Sequence, residues 1–595
     1  MRLHFKQSLL LCTLSILLLL QGCAKKESTP APEPSAFSNL CLEIFTEWVQ
    51  SDGLTLHYTL SDPNAYGIGQ AEAGTTFSLG SASSFSRQES FEAFNQAKNS
   101  FSALDFDSLT LQEQVDFRVI LHYLDRELAE ESFALYDEPL NSSSGIQAQL
   151  PILLSEYTFS DVTDVMNYFS LLDSTDEYFA SILEYENQKK EAGLFMNPES
   201  LSRIIAQCEA FVTNTDTNLL ITTFDSRLQA MPGILMPWDK ARLQEQNKQL
   251  VLEVVLPAYQ MLLSGLRNFA SALPEETEGT KGICRLPQGQ EWYSHLASEA
   301  SGSDLTVEEL FTRTQSEINT AMSALSSLCK EHPALTEDLG TYAFSLQSPK
   351  DILDQLREKI SLDFPSISNT DCTVRYVEDS LKDYVSPAFY LTSPIDTCRH
   401  TIYINENDSF NPSHLYPTLA HEAFPGHLYQ DTFFNDQNTC PLRSLLYYPG
   451  YTEGWAVYSE LLSYEYEESF SKELCTALQK SQEITLGIYA LMDMGIHYYG
   501  WGENQIAGIL QSYFGVNDSQ VVNDIYRLIL EDPANYLSYY VGYQELCYIQ
   551  KDWETSMGND YEARRFHKAI LTIGPAPFSL LEEYTPIFYL QDTDD

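Results

Sequence analysis

Apolar residues recur three and four positions apart over most of this chain, the spacing of helices that bury one face. The pattern is clearest over Leu111–Glu131, Asp161–Lys190, Pro198–Asn214 and Asp239–Leu273, and it predicts long amphipathic helices there. Several helical stretches open on capping residues: Ser160-Asp161, Asn197 ahead of Pro198, and Thr306 ahead of Val307-Glu308-Glu309. Side-chain oxygens at such positions accept from the free amides of a first turn. The strand signal that matters lies in Ala388–Leu391 and Thr401–Asn405, which are β-rich and separated by a stretch with Ser393-Pro394-Ile395-Asp396. They predict a small hairpin. The fold class that follows is mainly α. Pro274-Glu275-Glu276-Thr277-Glu278-Gly279 reads as an internal linker, dividing a helical N-terminal lobe, residues 37–280, from a second lobe, residues 281–595. The chain carries no internal repeat.

The N-terminus follows a different pattern. Arg2 and Lys6 precede the apolar run Leu9–Leu20, which is too short and wrongly flanked for a spanning helix and reads as a signal peptide, residues 1–22. Its end, Leu20-Gln21-Gly22-Cys23, resembles a bacterial lipobox. That resemblance implies cleavage before Cys23, a diacylglycerol on its sulfur, and an extracytoplasmic protein held to the membrane only through this lipid. Residues 23–36 are rich in Pro and Ser and predict an extended tether. No later segment reads as long and apolar enough to span a bilayer.

The chain has 595 residues, long enough for a large core, and its 36 Tyr and 31 Phe exclude a disordered acidic tail. A net charge of −50 argues against a nucleic-acid partner, whose phosphates it would repel, and suits an exported enzyme with a solvated acidic surface. None of the eleven cysteines forms a Cys-x-x-Cys pair, so a cysteine zinc knuckle is not expected. An exported location permits disulfides, and Cys372 with Cys398, which bracket a strand-like stretch, is the expected pair.

The chemistry concentrates in His421-Glu422-Ala423-Phe424-Pro425-Gly426-His427, followed by Glu453-Gly454-Trp455-Ala456-Val457-Tyr458-Ser459-Glu460. Neutral imidazoles and a carboxylate bind Zn²⁺ and leave a position open for water, and a further carboxylate beside the ion can take that water's proton. In His-Glu-x-x-His motifs the histidines lie four apart on one helix face. Here they lie six apart, about 600° around a helix and roughly 120° from alignment. A straight helix would not aim both at one ion. Pro425 and Gly426 predict a break near Phe424 that lets His427 swing back. His414, seven before His421 and nearly eclipsed with it, is the alternative partner.

His-Glu-Ala-Phe-Pro-Gly-His resembles the hallmark of a large bacterial family of unknown function grouped with the gluzincin peptidases. Further blocks resemble the same family in the same order: Ser386–Tyr390, Glu453–Tyr458, Asp493–His497 with Trp501, Tyr539–Gly542, and Arg564–His567. The similarity runs from about Phe37 to the C-terminus and is most specific in the second half. Many members carry a second histidine after the motif, where this chain has Leu428. The Glu453 block also resembles a segment of aminopeptidase N relatives whose glutamate is the third zinc ligand. The resemblance implies a two-lobed helical body with a deep channel, and Zn²⁺ held by His421, His427 and Glu453. It implies Glu422 as general base toward a metal-activated water and Tyr539 as donor to the oxyanion, with His497 the second candidate. Asp493, four residues before His497, could pair with it, and Asp493 or Glu460 could orient a ligand histidine.

The expected function is hydrolysis of short peptides by a lipid-anchored zinc metallopeptidase. No Gly-x-Ser-x-Gly elbow or phosphate-binding glycine loop supports a serine-hydrolase or nucleotide reading. Two rivals stand beside the peptidase: a peptide-binding surface lipoprotein with a non-catalytic metal site, and a zinc hydrolase of another amide or ester. Glu422 favours an enzyme, because a binding module needs no carboxylate beside its ligand.

Overall fold

The computed structural model describes residues 35–68, 77–213, 215, 218–233, 235–272, 281–368, 371–377, 382, 387–397, 399–407 and 410–591. The signal peptide, Cys23, nearly all of the tether, the linker at Pro274–Gly279, Ser386 and Cys398 lie outside the described residues. The architecture is mainly α, as the periodicity predicts. Eight of the helices position the site: α1 (Ala36–Trp48), α2 (Leu111–Ala129), α3 (Leu415–Glu422), α4 (His427–Gln437), α5 (Pro449–Ser463), α6 (Lys472–His497), α7 (Asn535–Met557) and α8 (Ala563–Ile573).

The caps act as their residue types require. Thr110 and Glu113 close a capping box on α2, and Thr306 with Glu309 closes another. Asp161 accepts from the amides of Thr163 and Asp164, and Asn197 from that of Ser200. Periodicity misplaces one boundary. The single helix expected over Asp161–Lys190 is two, Val162–Asp173 and Thr175–Glu191. At the junction the Ser174 and Thr175 hydroxyls donate to the carbonyls of Leu171 and Leu172, at 3.0 and 2.9 Å. Hydroxyls bonding back to the previous turn compete with the helix ladder.

The helix expected from Asp239 lies, as far as Ala272, in a continuous rod built from Pro237–Leu250, Val251–Val255 and Leu256–Ala272; Leu273 lies outside the described residues. By length and composition Pro237–Ser271 could cross a membrane, which corrects the expectation that no later segment could. Here it buries Leu243, Val251, Val255, Tyr259, Leu262 and Leu266 in a core shared with the surrounding helices.

The expected hairpin forms. Strand β2 (Ala388–Leu391) pairs antiparallel with β3 (His400–Ile404), Phe389 opposite Tyr403. A third strand, β1 (Cys372–Tyr376), pairs parallel with the other side of β3, so the order is β1-β3-β2. Thr401–Ile404 is therefore the middle of the sheet and offers no open edge; β2 and β1 are the edges.

The cores do not divide at the linker. One is built from residues between Leu140 and Leu266, with Leu79. The largest joins Phe37, Phe45, Val115 and Ile120 of α1 and α2 to Phe424, Trp455, Phe566 and Leu581. An ion pair between Arg443 and Asp116 is buried in this seam, and Arg443 also donates to the carbonyls of Ile573 (3.0 Å) and Pro575 (2.7 Å).

Helices α5 and α7 cross with their backbones in contact. A Cβ on Gly454 would lie 2.3 Å from the Gly542 carbonyl carbon, and one on Gly542 would lie 2.1 Å from the Gly450 carbonyl oxygen. Only hydrogen fits at either position. Gly542→Ala is expected to cost about 1–3 kcal/mol by overpacking, read as a lower urea midpoint; an unchanged midpoint would show that the helices do not meet this closely.

Candidate metal centre

Helix α3 ends at Glu422. Ala423 leaves helical geometry (φ −121°, ψ −82°), the chain passes through a cis Phe424–Pro425 peptide and Gly426, and α4 begins at His427. Pro425 has no N–H for the ladder. Gly426 must lack a side chain, because a Cβ there would sit 1.7 Å from the His421 carbonyl oxygen. The turn is fastened by the Gly426 amide donating to the Ala420 carbonyl (2.9 Å) and the Trp455 indole donating to the Pro425 carbonyl (2.7 Å). Phe424 is fully buried and serves as its hydrophobic plug. The interruption expected near Phe424 is present. It leaves His421 and His427 with ring centroids 4.8 Å apart and planes at 85°.

Helix α5 brings Glu453 to the same point. Its Oε2 lies 3.5 Å from His421 Nε2 and 3.6 Å from His427 Nε2, and all three candidate ligand atoms fall within 4.8 Å of one another. Those contacts are too long for hydrogen bonds, so Oε2 is a buried acceptor without a partner. The spacing suits an ion: two donors each about 2.1 Å from a tetrahedral zinc lie about 3.4 Å apart. His414, the alternative partner, is not among these atoms.

Behind the ligands, Glu460 Oε2 stands 3.3 Å from His421 Nδ1, a contact that leaves Nε2 free to face the ion. Burial disfavours a charged His421, but Glu453 and Glu460, aided by Glu422, outweigh it and hold its pKa well above the imidazole range. Burial likewise opposes charge on Glu453, and the two imidazoles overcome it, holding the carboxyl well below its usual range. Two imidazoles facing three carboxylates form a recess that calls for positive charge.

Glu422 projects beside the ligands. Its Oε2 accepts from the backbone N–H of Tyr390 at 2.8 Å, on the open side of β2. Tyr390 is itself fixed, its hydroxyl 2.9 Å from both His400 Nδ1 and Asp431 Oδ2. Burial pushes Asp431 up to about 6, offset in part by the hydrogen bonds of Tyr390 and Asn435. Tyr539, one turn into α7, stacks on His421 with centroids 6.4 Å apart at 19°. Burial, then the charges of Glu453 and Glu422, raises its phenol pKa, so it stays protonated and able to donate.

Other candidates lie elsewhere. His497 is fully buried against Tyr293, with Nε2 3.0 Å from the Ile529 carbonyl and Nδ1 accepting from the Ile283 amide at 3.4 Å. Asp493 does not pair with it. It accepts instead from the Tyr293 hydroxyl (2.7 Å) and the Ala534 amide (2.9 Å), and so pins the corner before α7. The pairing expected from their four-residue spacing is absent, because tertiary partners took the polar atoms that a shared helix face left available, and His497, the second oxyanion candidate, has its ring nitrogens engaged by Ile529 and Ile283. His567 stacks on Phe364 and meets Tyr458, a packing role.

Tyr390 closes the Ser386–Tyr390 block, but its role, a backbone amide held to Glu422, was not read from it, and His400 and Asp431, which hold its hydroxyl, were missed. Sequence reasoning also missed Asp532, pushed up to about 6 by burial alone, whose charge reaches Tyr447 and Tyr539. Within Glu531-Asp532-Pro533 it reads only as a helix end.

A second His–Glu group, Glu130, His295 and Glu299, has a different character. Arg126 lies 3.3 Å from Glu299 and Arg87 lies 3.8 Å from Glu130, so these carboxylates already face guanidinium charge.

A family model described as "Bacterial protein of unknown function (DUF885)" matches residues 65–584, so the chain belongs to that family. Two solved structures share the fold. A candidate lipoprotein from Colwellia psychrerythraea aligns with TM-score 0.81 and 17% identity, over 93% of this chain and 99% of its own. A candidate lipoprotein of unknown function from Shewanella oneidensis aligns with TM-score 0.64 and 16% identity, over 92% and 99%. No curated protein matches.

Glu453→Ala is expected to lower zinc affinity at least about 10-fold, the scale of disturbing a metal's immediate surroundings, as read by competition with a chelating dye. Undiminished affinity would place the third ligand elsewhere.

Proposed function

We propose that this member of the DUF885 family is a zinc-dependent peptidase of the gluzincin kind, exported and anchored by a lipid on Cys23. The observation that carries the reading is the meeting of His421 Nε2, His427 Nε2 and the orphaned Glu453 Oε2, with Glu422 held beside them by a backbone amide. Bound there, Zn²⁺ would polarise a carbonyl and acidify a water molecule.

The chain's own groups supply the remaining steps. Glu422 takes a proton from the attacking water and returns it to the leaving amine. The Tyr390 N–H keeps that carboxylate in place. The Tyr539 hydroxyl donates toward the oxygen that gains charge as the carbonyl becomes tetrahedral. The side of β2 away from β3 carries the Tyr390 amide that holds Glu422, and an extended peptide running along that side, next to this amide, would bring its scissile bond past Glu422. Short peptides fit this mode, because adding a strand needs an unfolded segment. Asp532 and the site carboxylates would favour a cationic group near the cleaved bond.

Digestion of a mixed peptide library by the zinc-loaded protein, read by mass spectrometry, tests the reading. Cleavage is expected for the parent and is expected to fall by roughly 10²–10⁴-fold in Glu422→Gln, with zinc retained. Equal cleavage by the variant would remove Glu422 from the base role. If neither folded, zinc-bound protein cleaves, the peptidase reading fails in favour of a binding lipoprotein or a hydrolase of another bond. Tyr539→Phe is expected to lower kcat by about 10²-fold with zinc content unchanged, the scale of losing one oxyanion donor. An unchanged kcat would return Tyr539 to a packing role.

A further inference from the structure

The two faces of the small sheet meet different surroundings, because side chains alternate along a strand. Tyr390 of β2 shares a face with His400, Ile402 and Ile404 of β3. That face belongs to the largest core, with α3 and α4. Phe389 and Leu391 point the other way. Phe389 stacks on Tyr403 opposite it, with centroids 4.9 Å apart and planes at 5°. Together with Ile152, from the helix Ile146–Glu156, and Leu219, which opens the helix Leu219–Ala230, they pack around Val377 and Tyr403. The Tyr403 hydroxyl donates to Glu156 and so ties the first of these helices to the sheet. Val377 and Tyr403 are buried, whereas Phe389, Leu391, Ile152 and Leu219 are only half-buried. Apolar surface therefore stays open to water beside β2, on the opposite face of the sheet from Tyr390.

We propose that Phe389, Leu391, Ile152 and Leu219 form a subsite for an apolar side chain of the peptide substrate, at a residue beside the cleaved bond. The inference rests on the peptidase reading, because it needs an extended peptide along β2. Residues directly opposite one another on neighbouring strands project from the same face. A peptide residue beside Tyr390, next to the amide that holds Glu422, turns its side chain toward α3 and the site carboxylates. Its neighbours in the peptide, beside Phe389 and Leu391, turn theirs onto the apolar surface. An aliphatic or aromatic chain leaves water there at a gain. A polar chain would lose its hydration with no partner to replace it.

Alternation thus sorts the substrate by position. A cationic group suits the carboxylate side, and an apolar group one residue away suits the other. The subsite also draws on both parts of the chain. Ile152 and Leu219 precede the linker at Pro274–Gly279, and Phe389 and Leu391 follow it.

The test uses the zinc-loaded protein and a set of hexapeptides in which Leu or Asn stands at each position in turn. The expected kcat/KM is about 10–100-fold higher with Leu at one position beside the cleaved bond. Leu391→Glu is expected to remove that advantage and to favour Lys at the same position, with zinc content unchanged. Cleavage indifferent to Leu or Asn on both sides of the bond would overturn the subsite and leave the peptidase reading standing. If no peptide is cleaved, that reading fails and calorimetry with zinc-loaded Glu422→Gln decides the subsite. Leu peptides that bind at least about 10-fold tighter than their Asn counterparts, and lose this margin in Glu422→Gln/Leu391→Glu, would sustain it. Equal binding, or none, would overturn it. If Leu391→Glu does not fold, Leu391→Ala replaces it and is expected to weaken the Leu preference several-fold; an unchanged preference would overturn the subsite.

Discussion

Two imidazoles six residues apart can reach one carboxylate oxygen only if the helix between them is interrupted, and the site is organised around that interruption. His421 closes α3 and His427 opens α4. Between them Gly426 passes against the His421 carbonyl where no side chain fits, Pro425 offers its carbonyl to Trp455, and Phe424 fills the core. Trp455 stands two residues after Glu453, so the indole that fastens the turn also sets α5, and with it the third candidate ligand. The glycine contact between α5 and α7 carries the arrangement one layer further, to Tyr539 over His421.

Charge selects among clusters that look alike in composition. Around His421 and His427 three carboxylates converge, and both imidazole Nε2 atoms face a carboxylate oxygen that nothing satisfies. Around His295 the carboxylates already have arginines. A buried unpaired charge costs several kcal/mol, so the first cluster is stable only when a cation, whether proton or metal, completes it. The fold supports this recess from far along the chain, through the Arg443–Asp116 pair and the N-terminal helices packed against α4, α5 and α8.

Local physics was legible in the residues. Proline followed by glycine between the histidines marked the interruption, cap residues marked helix starts, and β-rich runs at Ala388–Leu391 and Thr401–Ile404 marked the hairpin. What depended on distant partners was not legible. Parallel pairing of Cys372–Tyr376 with β3 covers the side of that strand which the hairpin alone would leave open. Asp493 and His497 share a helix face, yet Tyr293, Ala534, Ile283 and Ile529 claim their polar atoms. The clamp on Glu422 is a backbone amide, which every residue but proline can provide, so no side chain announces it. The core that spans the linker follows from burial of α1 and α2 against residues hundreds of positions away, which no local period encodes.

Anomalous diffraction at the zinc edge from crystals of the zinc-loaded protein tests the geometry most directly. The expected result is one peak about 2.0–2.2 Å from His421 Nε2, His427 Nε2 and a Glu453 carboxylate oxygen, with Glu422 beside it and unbound. A peak at Glu130, His295 and Glu299 instead, or none between His421 and His427, would contradict the proposed zinc site.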